Sequence, residues 1–104
     1  MREVRVLREA AEEVTNAAAH YEDESTGLGV QFEEAIHDSL QILCEDIIPL
    51  STISERLTKV GVKRLIMKRF PYSIVVRELE TEVQIIAFAH HSKRPEYWRE
   101  RLGT

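Results

Sequence analysis

Lys68-Arg69-Phe70-Pro71-Tyr72-Ser73-Ile74-Val75-Val76, followed by Val83-Gln84-Ile85-Ile86-Ala87-Phe88-Ala89-His90-His91, is the stretch on which the fold turns. Each run is rich in β-branched and aromatic residues, and polar residues separate the two, so they read as neighbouring strands. Tyr72–Leu79 forms one strand, Glu80-Thr81-Glu82 the turn, and Val83–Ala89 the next strand. The last run is almost continuously apolar, as expected of a central strand covered on both faces. Pro71 falls between strands, where a missing N–H does no damage. Upstream, Gly61 precedes a further strand predicted over Val62–Phe70. Together these segments make an antiparallel three-strand meander.

Working outward, residues 9–23 repeat apolar side chains at helical spacing: Ala10, Val14, Ala17, Ala18 and Tyr21. Glu9, Glu12, Glu13, Asn16 and Glu22 form the side suited to water. Glu24-Ser25-Thr26-Gly27 breaks the pattern, and residues 28–46 resume it with Leu28, Phe32, Ala35, Ile36, Leu40 and Leu43. Two amphipathic helices with a short polar link predict an antiparallel hairpin whose apolar seam is covered by the sheet. Val4–Leu7 reads as a short strand that must pair with one from the C-terminal half. Pro49 stops the second helix, and residues 49–61 read as an irregular connector anchored by Ile53, Leu57 and Val60. Arg94–Arg101 reads as a short helix or turn, with Ser92 as its cap and Pro95 in its first turn. The fold class is therefore α+β: an N-terminal strand, a helical hairpin and a small, mainly antiparallel sheet. The hairpin covers one face, and the other is expected to be concave and basic.

A chain of 104 residues fits one domain. Such a domain buries roughly two-thirds of its unfolded surface, enough for a core without staples. Cys44 is the only cysteine, which excludes an internal disulfide and argues for a reducing cytoplasm. Cys44 itself reads as a small buried hydrophobe. No leader-like segment opens the sequence, and no apolar run is long enough for a membrane helix. The net charge of −4 conceals an asymmetry: residues 1–48 hold 3 Lys/Arg and 12 Asp/Glu, and residues 49–104 hold 11 and 6. An acidic chain is a poor general ligand for nucleic acid, but its basic half can present a local patch to anions.

The order of elements resembles the RelE/ParE superfamily, toxins of type II toxin–antitoxin modules also described as plasmid stabilisation proteins. Local matches carry the resemblance. Tyr21-Glu22 with Gly27-Leu28-Gly29 and Phe32 looks like the hairpin junction, and Arg69-Phe70-Pro71-Tyr72 with Ile74 like the entry to the central strand. Ala89-His90, Arg94-Pro95, Tyr97-Trp98 and Arg101 look like the C-terminal motif. The resemblance implies one toxin domain over residues 1–104, a cognate antitoxin as partner and no cofactor. ParE-like members inhibit DNA gyrase, whereas RelE-like members cut ribosome-bound mRNA.

A ribonuclease without metal needs a base, an acid and cations for the developing phosphorane charge. In that reading Arg69 and Arg94 clamp phosphate, His90 or His91 is base or acid, and Tyr97 orients the substrate. Lys63, Arg64, Lys68, Lys93 and Trp98 are the candidate target-binding residues. Ser73 departs from the pattern, because RelE-like ribonucleases carry a basic residue there. Together with the acidic net charge, this favours an inhibitor that binds its target over an RNA-cutting enzyme. An inactive homologue is a third reading.

Alternative structural roles stand beside these. His90 and His91 are adjacent on a strand and so diverge, which makes them a poor metal pair. Tyr97 and Trp98 can cap a small core, Arg69 can pair with a helix carboxylate, and Glu22-Asp23-Glu24 can be a solvated helix end.

Overall fold

The computed structural model describes residues 2–45 and 49–103. Strand β1 (Glu3–Val6) leads into helix α1 (Arg8–Glu24) and helix α2 (Leu28–Glu45). Strand β2 (Ser51–Thr52), helix α3 (Glu55–Lys59) and strands β3 (Val62–Ile66), β4 (Tyr72–Glu78) and β5 (Glu82–His90) follow. A 3-10 turn over Arg99–Leu102 comes last. The sheet order is β1-β5-β4-β3-β2, so β5 is interior and β1 is its outer neighbour. β1 runs parallel to β5, with Val4 opposite Val83, and the β2–β5 pairs are antiparallel.

The two helices form where the apolar spacing predicts them, and Asp46, the last residue of the predicted second helix, lies outside the described residues. Their seam packs on one sheet face. Ala10, Ala18, Phe32, Ile36 and Leu43 meet Leu65, Ile74, Val76, Val83, Ile85 and Phe88, with Val14, Ala17 and Leu40 at the margin. Gly29 lets the helices approach closely, since a Cβ there would lie 2.5 Å from the Ala18 carbonyl oxygen. Glu22 is more than a solvated helix end. Its carboxylate accepts the Gly27 and Gly29 N–H groups (2.9 and 3.0 Å), which caps the start of α2.

The continuous apolar run of β5 has a local cause. Val75 faces Ala87 and Val76 faces Ile85, so a bulge at Ile86 sends Ile86 and Ala87 to the same face. That face has a core of its own. Leu57, Val62, Val75, Ile86, Ala87 and Trp98 cluster there, with Ile53 and Leu102 alongside. The second face is therefore not an open basic surface, because α3 and the C-terminal segment cover part of it.

Four further expectations are corrected. The connector 49–61 contains β2 and α3, and Ser54 caps α3 by accepting the Leu57 N–H (3.2 Å). The strand predicted to Phe70 ends at Ile66, because Met67 to Pro71 turn back so that the Met67 N–H reaches the Tyr72 carbonyl. Val60, expected as an anchor, is half exposed. The C-terminal segment is a series of turns ending in the 3-10 turn, which has Trp98 before it and no side-chain cap. Ser92 instead binds the His90 ring, its N–H donating to Nδ1 (3.0 Å).

Glu78 shows how the sheet's lower edge is tied. It takes Arg2 (2.7 Å) on one oxygen and Lys63 (3.3 Å) on the other. Burial pushes its carboxyl up, but the hydrogen bonds from Arg2 and Lys63 outweigh this, and the group titrates below its ordinary range.

Candidate functional site

Strand alternation decides which candidate residues meet. Arg64 and Ile66 on β3 share a face with Ser73 and Val75 on β4 and Ala89 on β5. Lys63 points to the other face, where it is engaged by Glu78. The shared face ends in a cleft of about 510 Å³. Its floor is Ile66, Ser73, Val75 and Ala89, and Ile53, Pro95 and Trp98 stand at the sides. Arg64, His91, Lys93, Arg94, Glu96 and Tyr97 supply its polar edge, and His90 touches its end.

β5 ends at His90, so strand alternation does not govern His91, and the two histidines make different contacts. His90 lies edge-on to Tyr72 with ring centres 5.0 Å apart, and its Nδ1 accepts from Ser92. His91 curls into the cleft, where its Nε2 is 2.9 Å from the Ser73 hydroxyl. Ser73 is 5% exposed. The position where a cation is missing is thus filled by a serine–imidazole pair.

The remaining candidates separate. Arg69 is in the β3–β4 turn, where it donates to Gln31 of α2 and leans on the Phe70 ring (5.5 Å). It does not line the cleft, and its helix partner is an amide rather than a carboxylate. Lys68 is exposed on the same turn. Arg94, Lys93 and Tyr97 do reach the cleft, with the Lys93 ammonium 5.7 Å above the Tyr97 ring. Trp98 is 4% exposed and belongs to the second core.

A group that sequence reading assigns to solvent organises this wall. Glu13 of α1 is partly buried. It accepts the Phe88 N–H (3.0 Å), the Tyr97 hydroxyl and both ends of the Arg101 fork (2.9 and 3.2 Å). Arg101 also donates to the Ile86 carbonyl (3.1 Å). β1 ends opposite Ile85, so among the described residues the outer edge of β5 beyond it has no strand neighbour. Glu13 and Arg101 satisfy that edge with side chains, and the same contacts clasp the segment carrying Arg94, Tyr97 and Trp98. Helical spacing alone gave no sign of this, because the partners lie far away in the chain.

The clasp has a consequence for titration. Burial, and then the hydrogen bond to Glu13, push the Tyr97 phenol far up. Burial, and then Tyr21, push Tyr72 up to about 12. A phenol whose folded pKa is raised favours the fold fully below its unfolded value of roughly 10 and loses that contribution as pH rises through the folded value. Stability is therefore expected to decline from about pH 10 upward, with tyrosinate absorbance lagging behind that of the unfolded chain. Ordinary ionisation of both phenols in the folded protein would contradict this.

The turn at the cleft mouth is strained. The Tyr97 N–H reaches the Arg94 carbonyl (3.3 Å) around Pro95 and Glu96, and Glu96 has φ of 57°, a left-handed conformation rare outside glycine. An Arg56–Glu96 ion pair (3.0 Å) holds it to α3. No group of three or more His, Cys, Asp or Glu among the described residues is arranged to hold a metal. Likewise, none of their helices is long and apolar enough to cross a membrane.

No protein-family model matches the sequence, and no curated protein matches it. Among solved structures the chain is similar to one titled "Chromosomal ParDE TA system from P. aeruginosa", with a TM-score of 0.62 and 22% identity. The likeness covers 86% of this chain and 96% of the other. It shows that the hairpin-on-sheet architecture is a fold shared with that ParDE chain.

Proposed function

We propose that the chain is the toxin of a type II toxin–antitoxin module, that it acts in the cytoplasm, and that residues 1–104 work as one toxin domain. In this reading it inhibits growth by binding an essential target of the ParE type, DNA gyrase, and a cognate antitoxin neutralises it. The observation that carries the proposal is the likeness to a ParDE chain over nearly the full length of both. Binding is preferred to RNA cleavage because Ser73 stands where a cation is needed and spends its hydroxyl on His91. Inducing the chain alone in bacteria is expected to slow growth, and co-expressing its partner to restore it. Normal growth with confirmed soluble protein would refute the proposal and favour an inactive homologue.

A basic cleft on an acidic chain also fits an antitoxin tail that is acidic and orders on binding. Raising salt is then expected to slow association more than it speeds dissociation. Association rates that do not change with salt would contradict an acidic tail.

The cleft gives one reason to keep the second reading. His91, Lys93 and Arg94 share it, as a base and two cations for a 2′-hydroxyl attack on the adjacent phosphate. Ribosome-dependent mRNA cleavage that falls on the order of a hundredfold in Arg94→Ala would establish the enzyme over the binder.

A further inference from the structure

We propose that the cleft recognises a peptide segment that is both acidic and apolar, with Arg64 as the counter-ion of one peptide carboxylate. This rests on the antitoxin reading for its biological partner, but the chemistry is argued from the cleft itself. Arg64 is partly buried, and its Nε is shut off from water with no hydrogen-bond partner. No carboxylate among the described residues pairs with it. A buried N–H left without an acceptor opposes folding, so this Nε, on a guanidinium with no carboxylate beside it, points to a ligand that completes it.

Arg101 provides the contrast within the same chain. Its side chain is 18% exposed and is met by both oxygens of Glu13. Glu96, the only carboxylate among the described residues lining the cleft, is taken by Arg56. Lys93 and Arg94 at the mouth also have no carboxylate partner among the described residues. Arg94 is presented by the strained turn at Glu96, and strain of this kind collects at binding sites.

The rest of the cleft selects a peptide over nucleic acid. Its floor and sides offer aliphatic surface, including Ile66, which is 46% exposed. Single-stranded RNA needs open aromatic faces and a track of cations along successive phosphates. Here Trp98 is buried, and the Tyr97 ring is flanked by Lys93 and Arg101. A carboxylate beside a branched apolar side chain satisfies the site. Arg64 takes the acid, the Ser73–His91 pair supplies further polar contacts, and Ile66 and Ile53 take the apolar group.

The test uses Trp98, the only tryptophan in the chain, as a fluorescence reporter at the cleft wall. The probes are a capped peptide carrying glutamate and leucine on a serine–glycine background, its glutamine counterpart, and oligouridylate. The glutamate peptide is expected to bind saturably and the other two not to. Arg64→Met is expected to weaken peptide binding by roughly tenfold or more, as for a lost charged hydrogen bond. The same variant should unfold at the same temperature as the parent or higher, because an unsatisfied buried N–H has been removed. Arg64→Lys, which keeps the charge but not the fork, should retain part of the binding.

The proposal is overturned if Arg64→Met binds as well as the parent, or if it melts well below the parent. It is also overturned if oligouridylate binds through Arg64 and the peptide does not, which makes the cleft a nucleic-acid site. These readouts are separate from growth inhibition, so a binding cleft in a non-toxic protein and a toxin with a silent Arg64 give different results.

Discussion

Phe32→Ala is expected to lower the unfolding free energy by roughly 3–5 kcal/mol, measured by denaturant titration. Phe32 is fully buried, with its ring centre 5.1 Å from those of Tyr21, Phe70 and Tyr72. It joins α2 to α1, to the β3–β4 turn and to β4 at one point. Removing the ring costs its transfer energy and leaves a cavity that these fixed neighbours cannot close. Aromatic pairing adds to the loss. For a domain whose total stability is of order 5–15 kcal/mol, this is a large fraction. A loss under about 1 kcal/mol would show that the hairpin does not depend on this cluster.

Glu13→Ala is expected to cost about 2–4 kcal/mol, because it strands several partners at once. Arg101 would keep its position beside the Ile86 carbonyl without a counter-ion, the Tyr97 hydroxyl would lose its acceptor, and the Phe88 N–H would be left unpaired on an open strand edge. The effect is local as well as global. With the clasp gone, the segment carrying Trp98 should loosen before the sheet unfolds, seen as a red shift of tryptophan emission at denaturant concentrations where the helical signal is intact. Glu13→Gln should restore part of the stability, since an amide can accept from one partner. An alanine variant with parental stability and emission would mean that the apolar contacts of Trp98 alone hold the segment.

The helical hairpin was legible because its apolar seam repeats at the spacing of one helix face, from Ala10 to Tyr21 and from Leu28 to Leu43. The interior position of β5 was legible for a similar reason, although its run reads as continuous partly because of the bulge at Ile86, which periodicity does not reveal. α3 was missed at five residues, too short for a repeat to register, although Ser54 followed by Glu55 is a cap signal. The cleft was half legible. Arg94 and Tyr97 were placed on it by their position after the last strand, whereas Arg69 turns away because its turn docks on α2. Neither Glu13 nor the Ser73–His91 pair could be found locally, since each depends on strand register or on contact between distant parts of the chain.

The parallel pairing of β1 with β5 also bears on how fast the molecule forms. The whole hairpin and the other three strands lie between the two partners, so β1 cannot be secured until nearly every other element is in place. Closing so long a stretch of chain loses entropy before any ladder hydrogen bond rewards it. Sheets of this kind therefore condense slowly compared with helical bundles of equal size. The two helices can gain structure early, but the surface that buries their seam is completed only when β5 docks. In that interval Phe32, Ile36 and Leu43 remain available to other chains, and refolding yield should fall as protein concentration rises.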